Sequence, residues 1–204
     1  MAQTSTTLSG AKSHRTDITG ADISFTSTSG VYTIKSTSTV LTGAGKLEAR
    51  DLITVTNSAN NNSTFTIKAV VSTTEFTVEE IVTTETADGS TSATLDHTGF
   101  VTDKAKGDGY YSQPDGVHTV AYQVINLGDS TDDFNGTIKM QGTLATTPTE
   151  DDWFDISGTI LTSDQSTTNH AYNFTGNFVW VRAKVETTNT SSNPSMVTSI
   201  LLNN

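Results

Sequence analysis

"DLITVTNSANNNSTFTIKAVVSTTEFTVEE", residues 51–80, reads as three strands separated by two polar turns. Ile53 and Val55, then Phe65, Ile67 and Ala69, then Phe76 and Val78 fall at every second position. That is the period at which a pleated strand turns one face to a core. Thr takes most of the alternate positions, and its β-branched side chain suits a half-solvated strand face. The connection "NSANNNS" is rich in Asn, which tolerates left-handed backbone and hydrogen-bonds its own chain. A helical stripe would need apolar residues three and four apart, and this stretch has none sustained. The segment points to an all-β chain.

The same pattern continues on both sides. Upstream, "ISFTS" (23–27) and "VYTIK" (31–35) flank a Ser-Gly turn. Downstream, "HTVAYQVIN", "GTIKMQGTL", "WFDI", "HAYNF", "FVWVRAKV" and "MVTSILL" are further strand candidates between turn-forming stretches, the spacing of a β-sandwich. Residues 86–116 break the alternation with Gly, Asp and Ser, and residues 101–117 read as a connection between domains. Residues 1–20 are small, polar and aperiodic. They read as an extended arm that orders on a partner. The expected organisation is therefore an arm (1–20), a small β-barrel or β-sandwich (21–100), a linker (101–117) and an antiparallel, jelly-roll-like β-sandwich (118–204). Both Trp residues lie in the last of these. "TPTEDDW" (147–153) adds one turn of helix, with Thr147 or Thr149 as its cap.

Composition excludes several function classes. Of 204 residues, 11 are Lys or Arg and 22 are Asp or Glu, for a net charge of -11. A phosphate backbone or an anionic membrane needs a basic stripe, so neither is an expected partner. With no Cys there is no disulfide and no thiolate metal site. The stretch "MAQTSTTLSGAKSH" has no hydrophobic signal core, so synthesis in the cytoplasm is expected.

No catalytic constellation emerges. Glu150, Asp151 and Asp152 are consecutive and lie between a Pro turn and a strand, whereas carboxylate pairs for glycoside hydrolysis face each other across a cleft. His14, His97, His118 and His170 share no metal-ligand spacing. "GAGK" (43–46) lacks the rest of a phosphate loop and reads as a turn. In "GDSTDDFNG" (128–136), Asp129, Thr131, Asp133 and Asn135 place oxygen atoms at alternating positions, which admits a non-helical calcium loop, with Asp129, Asp133 and Asn135 as ligands, or a polar hairpin.

"FVWVRAKV" (178–185) divides into two faces. Val179, Val181, Ala183 and Val185 look inward, and Phe178, Trp180, Arg182 and Lys184 look outward. The outer set has the composition of an interface hot spot, unless a loop of the same domain covers it. Trp153, Trp180, Tyr110 and Tyr111 are alternatively stacking platforms for a sugar.

"FNGTIKMQGTLATTPTEDDWFDI" (134–156) and "FTGNFVWVRAKV" (174–185) together resemble a β-sandwich module of tailed-phage virion structural proteins, those of marine cyanobacterial phages above all. The residues that carry the resemblance are Gly136, Ile138, Gln141 to Leu144, Trp153, Phe154, Gly176 to Phe178 and Arg182 to Val185. Residues 51–80 are similar to a small β module of phage virion proteins. The resemblance implies a non-enzymatic component of the virion, present in many copies and bound to other virion proteins. A head decoration subunit that binds neighbouring capsid subunits is the role expected first, and a neck, tail or baseplate accessory subunit is its alternative; a carbohydrate-binding attachment module is a separate alternative, by analogy with other β-sandwiches.

Overall fold

The structure is a computed structural model and describes residues 5–111, 116–124, 133–163, 169–188 and 195–203. The chain is all-β: among the described residues the only helical elements are two short 3-10 turns, Asp108–Tyr111 and Glu150–Asp152. It divides into two compact units, one of Arg15–Phe100 and one of Met1–His14 with Val101–Asn204. The first unit is thus an insertion within the second in the order of the chain.

Two short strands open the chain, β1 (Ser5–Ser9) and β2 (Lys12–Ser13), and belong to the two-segment unit. The inserted unit follows with β3 (Ile18–Gly20), β4 (Ile23–Thr28), β5 (Val31–Ser36), β6 (Asp51–Thr56), β7 (Thr64–Ser72), β8 (Glu75–Val78) and β9 (Ala93–Val101). Its strands run in the order β9-β6-β7-β8-β5-β4, with β3 on β9, and every pairing is antiparallel. The two ends of this sheet do not meet, so the barrel alternative is set aside in favour of an open, folded sheet. Strand β7 makes the fold. Its first residues pair with β6, Thr64 opposite Thr54, and its later ones with β8, Val70 opposite Phe76. Bulges between Ile67 and Ala69 and between Val70 and Ser72 add the local twist that this turn requires. Ile23, Phe25, Ile34, Ile53, Val55, Phe65, Ile67, Phe76, Val78 and Leu95 meet in one core, as the alternating positions predict, whereas Ala69, expected on the same face, is exposed because the bulge after Ile67 breaks the alternation.

Strand β9 corrects the reading of residues 86–116 as pattern-breaking. Ala93, Leu95 and His97 alternate toward the core, and a bulge opposite Leu52 and Ile53 brings Gly99 and Phe100 inward after them. The polar member of that series, His97, is 3% exposed. Its Nδ1 accepts the Arg15 N–H at 3.2 Å, and its Nε2 lies 3.6 Å from Asp51 Oδ1. Asp51 in turn accepts the Glu48 N–H at 2.8 Å and faces the Arg15 guanidinium at 3.6 Å. The hydrogen bond satisfies Nδ1, and the Asp51 carboxylate is the charged neighbour that Nε2 faces.

The Asn-rich loop between β6 and β7 is tied down by one carboxylate. Glu85 accepts hydrogen bonds from Ser58 Oγ (2.8 Å), Ala59 N (2.9 Å), Asn60 N (3.0 Å) and Asn61 Nδ2 (2.9 Å). Burial pushes its pKa up, and these donors more than offset that, leaving it below its ordinary 4.5. Asp22 plays the same part after β5, accepting from Ser36, Thr37, Ser38 and Thr39.

The two-segment unit adds β10 (Ala105–Lys106), β11 (Val117–Val124), β12 (Gly136–Thr143), β13 (Phe154–Asp155), β14 (Leu161–Thr162), β15 (Asn169–Thr175), β16 (Trp180–Thr187) and β17 (Ser195–Asn203). One sheet has the order β1-β17-β11-β15, with β2 also on β17. The other joins β12 to β16, with β13 and β14 in tandem on the far edge of β12 and β10 on β16. Val120, Tyr122, Val197, Ile200 and Leu202 from the first sheet and Ile138, Met140, Val181, Ala183 and Val185 from the second are buried, the inward faces of a β-sandwich. The Tyr122 hydroxyl donates to Thr159 O at 2.9 Å within this interior, and burial there pushes its pKa well above the usual phenol value.

Two expectations change here. The arm pairs with the chain itself: Ser5 lies opposite Asn203, Thr7 opposite Leu201 and Lys12 opposite Val197. The outer edge of β17 offers a row of unpaired backbone groups, and even a Ser/Thr segment without apolar alternation can satisfy it. The described part of 101–117 is built into the unit and not spaced away from it, since β10 and the turn Asp108–Tyr111 pack on β16. No helix among the described residues is long and apolar enough to cross a membrane.

Removing residues 1–13 uncovers the edge of β17. Calorimetry of the truncated chain should show one transition lowered by roughly 5 °C or more and the transition of Arg15–Phe100 unchanged. Unaltered melting of both would contradict a structural role for β1 and β2. A second prediction concerns Glu85. Because its pKa is lowered on folding, its contribution is full above its ordinary 4.5 and is lost as pH falls through the folded value. The gap in urea midpoint between the native chain and Glu85→Gln should therefore close from pH 5 toward pH 3, and a gap of constant size would refute the clamp.

Candidate functional site

Strand β16 sets out the site. Val181, Ala183 and Val185 point into the core, so Trp180, Arg182 and Lys184 stand on the opposite face. The neighbouring strand places Thr143 beside Trp180, Gln141 beside Arg182 and Lys139 beside Lys184. This outer face carries most of the basic residues of the C-terminal half of the chain.

Arg182 is only 4% exposed, although its strand position is an outer one. The acidic turn folds over it. Its Nη1 and Nη2 donate to Glu150 Oε1 and Oε2 at 2.8 and 2.6 Å, a forked pair, and its Nε donates to Gln141 Oε1 at 2.9 Å. The Trp153 ring closes the remaining side, 4.2 Å from the guanidinium carbon. The turn is fixed from within, because Asp152 Oδ2 accepts both the N–H (2.7 Å) and the hydroxyl (2.8 Å) of Thr149. Those bonds hold the Asp152 carboxyl below its ordinary pKa. The acidic run thus divides into a partner for Arg182, an exposed Asp151 and a turn brace.

Farther along the strands, Lys139 and Lys184 lie directly opposite each other. Like charges at this spacing repel, and carboxylates offset the repulsion. Lys139 Nζ is 2.9 Å from Asp155 and 3.1 Å from Glu186, and Lys184 Nζ is 3.0 Å from Glu186. Burial opposes the charge on Lys139, Asp155 and Glu186, but the pairing wins: the Lys139 pKa is raised, and those of Asp155 and Glu186 are lowered. Gln141 Nε2 donates to Asp155 Oδ1 at 2.9 Å and so links this group to Arg182.

At the other end of β16 the face becomes aromatic. Trp180 packs on Tyr110 with ring centroids 4.9 Å apart, and Tyr110 meets Tyr111 edge-on at 5.2 Å. Lys104 Nζ sits 4.5 Å from the Trp180 centroid, and Lys106 Nζ 4.1 Å from that of Tyr110. The two glycines of "KGDGYY" make this approach possible. Gly107 N and Gly109 N donate to Val179 O (3.0 Å) and Phe178 O (2.8 Å), and a Cβ on either glycine would lie within 2.6 Å of a β16-side carbonyl oxygen.

The proposed interface set is therefore divided. Phe178 is 7% exposed and lies among His118, Phe154 and Phe174, and Arg182 is enclosed by the acidic turn, so neither belongs to a free face. Trp180 and Lys184 remain partly accessible. Of the stacking set, Trp153 is committed to Arg182, while Tyr110 and Tyr111 are brought together with Trp180. Of the calcium set, Asp129 lies outside the described residues, Asp133 is buried, and Asn135 holds β16 through its carbonyl, which accepts from Thr187 Oγ1 and Thr188 N at 2.9 Å each. No three His, Asp or Glu among the described residues gather as a metal cluster. Lys104 and Lys106 went unnoticed in the sequence. The spacing K-x-K before G-x-G-Y-Y is the signal that could have marked them. No protein-family model matches the chain, and no curated protein matches it.

Glu150→Ala strands a buried guanidinium and should destabilise the two-segment unit by about 3 kcal/mol, measured by urea unfolding. Adding Arg182→Met should restore most of that loss. An effect of the single change below about 0.5 kcal/mol, within the range of ordinary surface substitutions, would show that the pair does not hold the turn.

Proposed function

We propose that the protein is a non-enzymatic structural subunit of a tailed-phage virion, carried in many copies on the head and bound to neighbouring capsid subunits. The observation that carries this reading is how the charged groups are used. Glu150, Asp152, Asp155 and Glu186 are each held by a specific partner within the unit, the arrangement of a braced scaffold. The sandwich also offers material for contact with a neighbour: Leu144, Phe154 and Ile160 are exposed along the edge of β12 where β13 and β14 attach. A strongly acidic exterior keeps such subunits apart until they meet their site.

Immunogold labelling of phage particles from a producing lysate, with antibody to the purified protein, tests the reading. Gold spread over the heads is the expected result. Gold confined to the neck or tail would move the subunit to that part of the particle, and unlabelled particles would overturn the virion role.

A further inference from the structure

We infer that the outer face of the sheet β1-β17-β11-β15 is a self-association surface, on which a second copy of this chain packs sheet against sheet. The inference goes beyond the virion reading and does not depend on it. Charge is distributed unevenly over the sandwich. Strands β12, β13 and β16 carry Lys139, Asp155, Arg182, Lys184 and Glu186. The five strands of the first sheet contain no Asp, Glu or Arg and one Lys. That one, Lys12, lies opposite the buried Val197, in the register of the inner face. The outer face that these strands form is therefore without charge, in a chain of net charge -11. Depletion of charged side chains is the mark of the centre of a protein interface.

The side chains of this face can be covered at little cost. Val120 and Tyr122 point into the core, so Thr119, Ala121 and Gln123 point out, and the pairing sets Leu201 and Ala171 on either side of Ala121. Side chains of this size let a second sheet approach to the ordinary packing distance of about 10 Å. The polar groups beside them bond to each other. Thr119 Oγ1 donates to Asn173 Oδ1 at 2.8 Å, and Ser199 Oγ donates to Gln123 Oε1. Covering groups already bonded within the chain costs less than covering groups that water alone satisfies. Electrostatics then selects the partner. A basic protein would be drawn to the carboxylate-bearing surfaces instead. Two copies of net charge -11 repel each other through those same surfaces, and on this face no carboxylate of one meets a carboxylate of the other. Four paired strands about seven residues long present roughly 450 Å² on each copy. A contact of that size is weak and reversible, below the class of permanent dimers.

Sedimentation equilibrium of the full chain, from about 5 to about 500 μM, tests this. A monomer–dimer equilibrium with a dissociation constant of roughly 10–100 μM is expected. Added salt should strengthen it, because salt screens the repulsion between the other surfaces. Ala171→Glu puts a carboxylate on the face and should weaken association about tenfold. Asn173→Asp adds a charge with almost no change of shape and keeps the acceptor for Thr119, so it should weaken association even if the larger change disturbs folding. Circular dichroism of both variants checks their folding. Leu144→Ser, on an exposed side chain outside this sheet, should leave the equilibrium unchanged. A chain that stays monomeric at every concentration would overturn the proposal. So would a dimer that salt dissociates, one that survives both charge-introducing changes, or one that Leu144→Ser abolishes, since each would place the contact elsewhere.

Discussion

The first strand pairs with the last, Ser5 opposite Asn203, and the architecture depends on that pairing. It makes one unit out of two stretches of chain and leaves Arg15–Phe100 as an insertion between them. Closing so long a loop is less demanding than it looks, since each doubling of a flexible loop adds only about 0.6 kcal/mol. An insertion with its own core, built around Phe25, Phe76 and Leu95, shortens the effective loop further once it has folded. The expected consequence is an order of events: local hairpins such as β4–β5 can form early, while β1 can find β17 only when the last residues of the chain are present.

A second constraint acts inside the sandwich. Strand β16 has an arginine at a position that the acidic turn seals from water. A lone buried guanidinium would be strongly unfavourable, so Glu150, Gln141 and Trp153 must all be in place before the strand is stable there. That requirement fixes the path of residues 144–156 across the sheet. It also accounts for the short β13, because Phe154 and Asp155 can pair with β12 only where the turn brings them back. The acidic segment is a clasp, and its chemistry is spent on holding the strand.

The strands whose apolar residues alternate were legible in the sequence: β4 to β8 in the insertion, and β11, β12, β15, β16 and β17 in the sandwich. What was hidden has physical reasons. Strand β9 uses His97 as a core residue, and a histidine reads as polar until Asp51 and Arg15 are seen around it. Strands β1 and β2 are short, mostly polar and matched to β17 through backbone pairing, which leaves no side-chain period to find. Arg182 occupies the outer face that its register predicts, but register says nothing about a loop that folds back over that face. The grouping of Tyr110 and Tyr111 with Trp180 is likewise invisible to local pattern, because it follows from two glycines that let separate segments touch.

The distribution of charge links these observations. The acidic residues of the C-terminal half outnumber the basic ones, yet the bases are concentrated on β10, β12, β16 and the residues beside them. Strand β16 lies between β10 and β12, so the topology itself gathers these side chains onto neighbouring positions. Carboxylates within hydrogen-bonding reach neutralise Lys139, Arg182 and Lys184 in the middle of that face. At its aromatic end the ammonium groups of Lys104 and Lys106 lie over the rings of Trp180 and Tyr110. The same strand therefore joins a charge-paired surface in its middle to an aromatic one at its end.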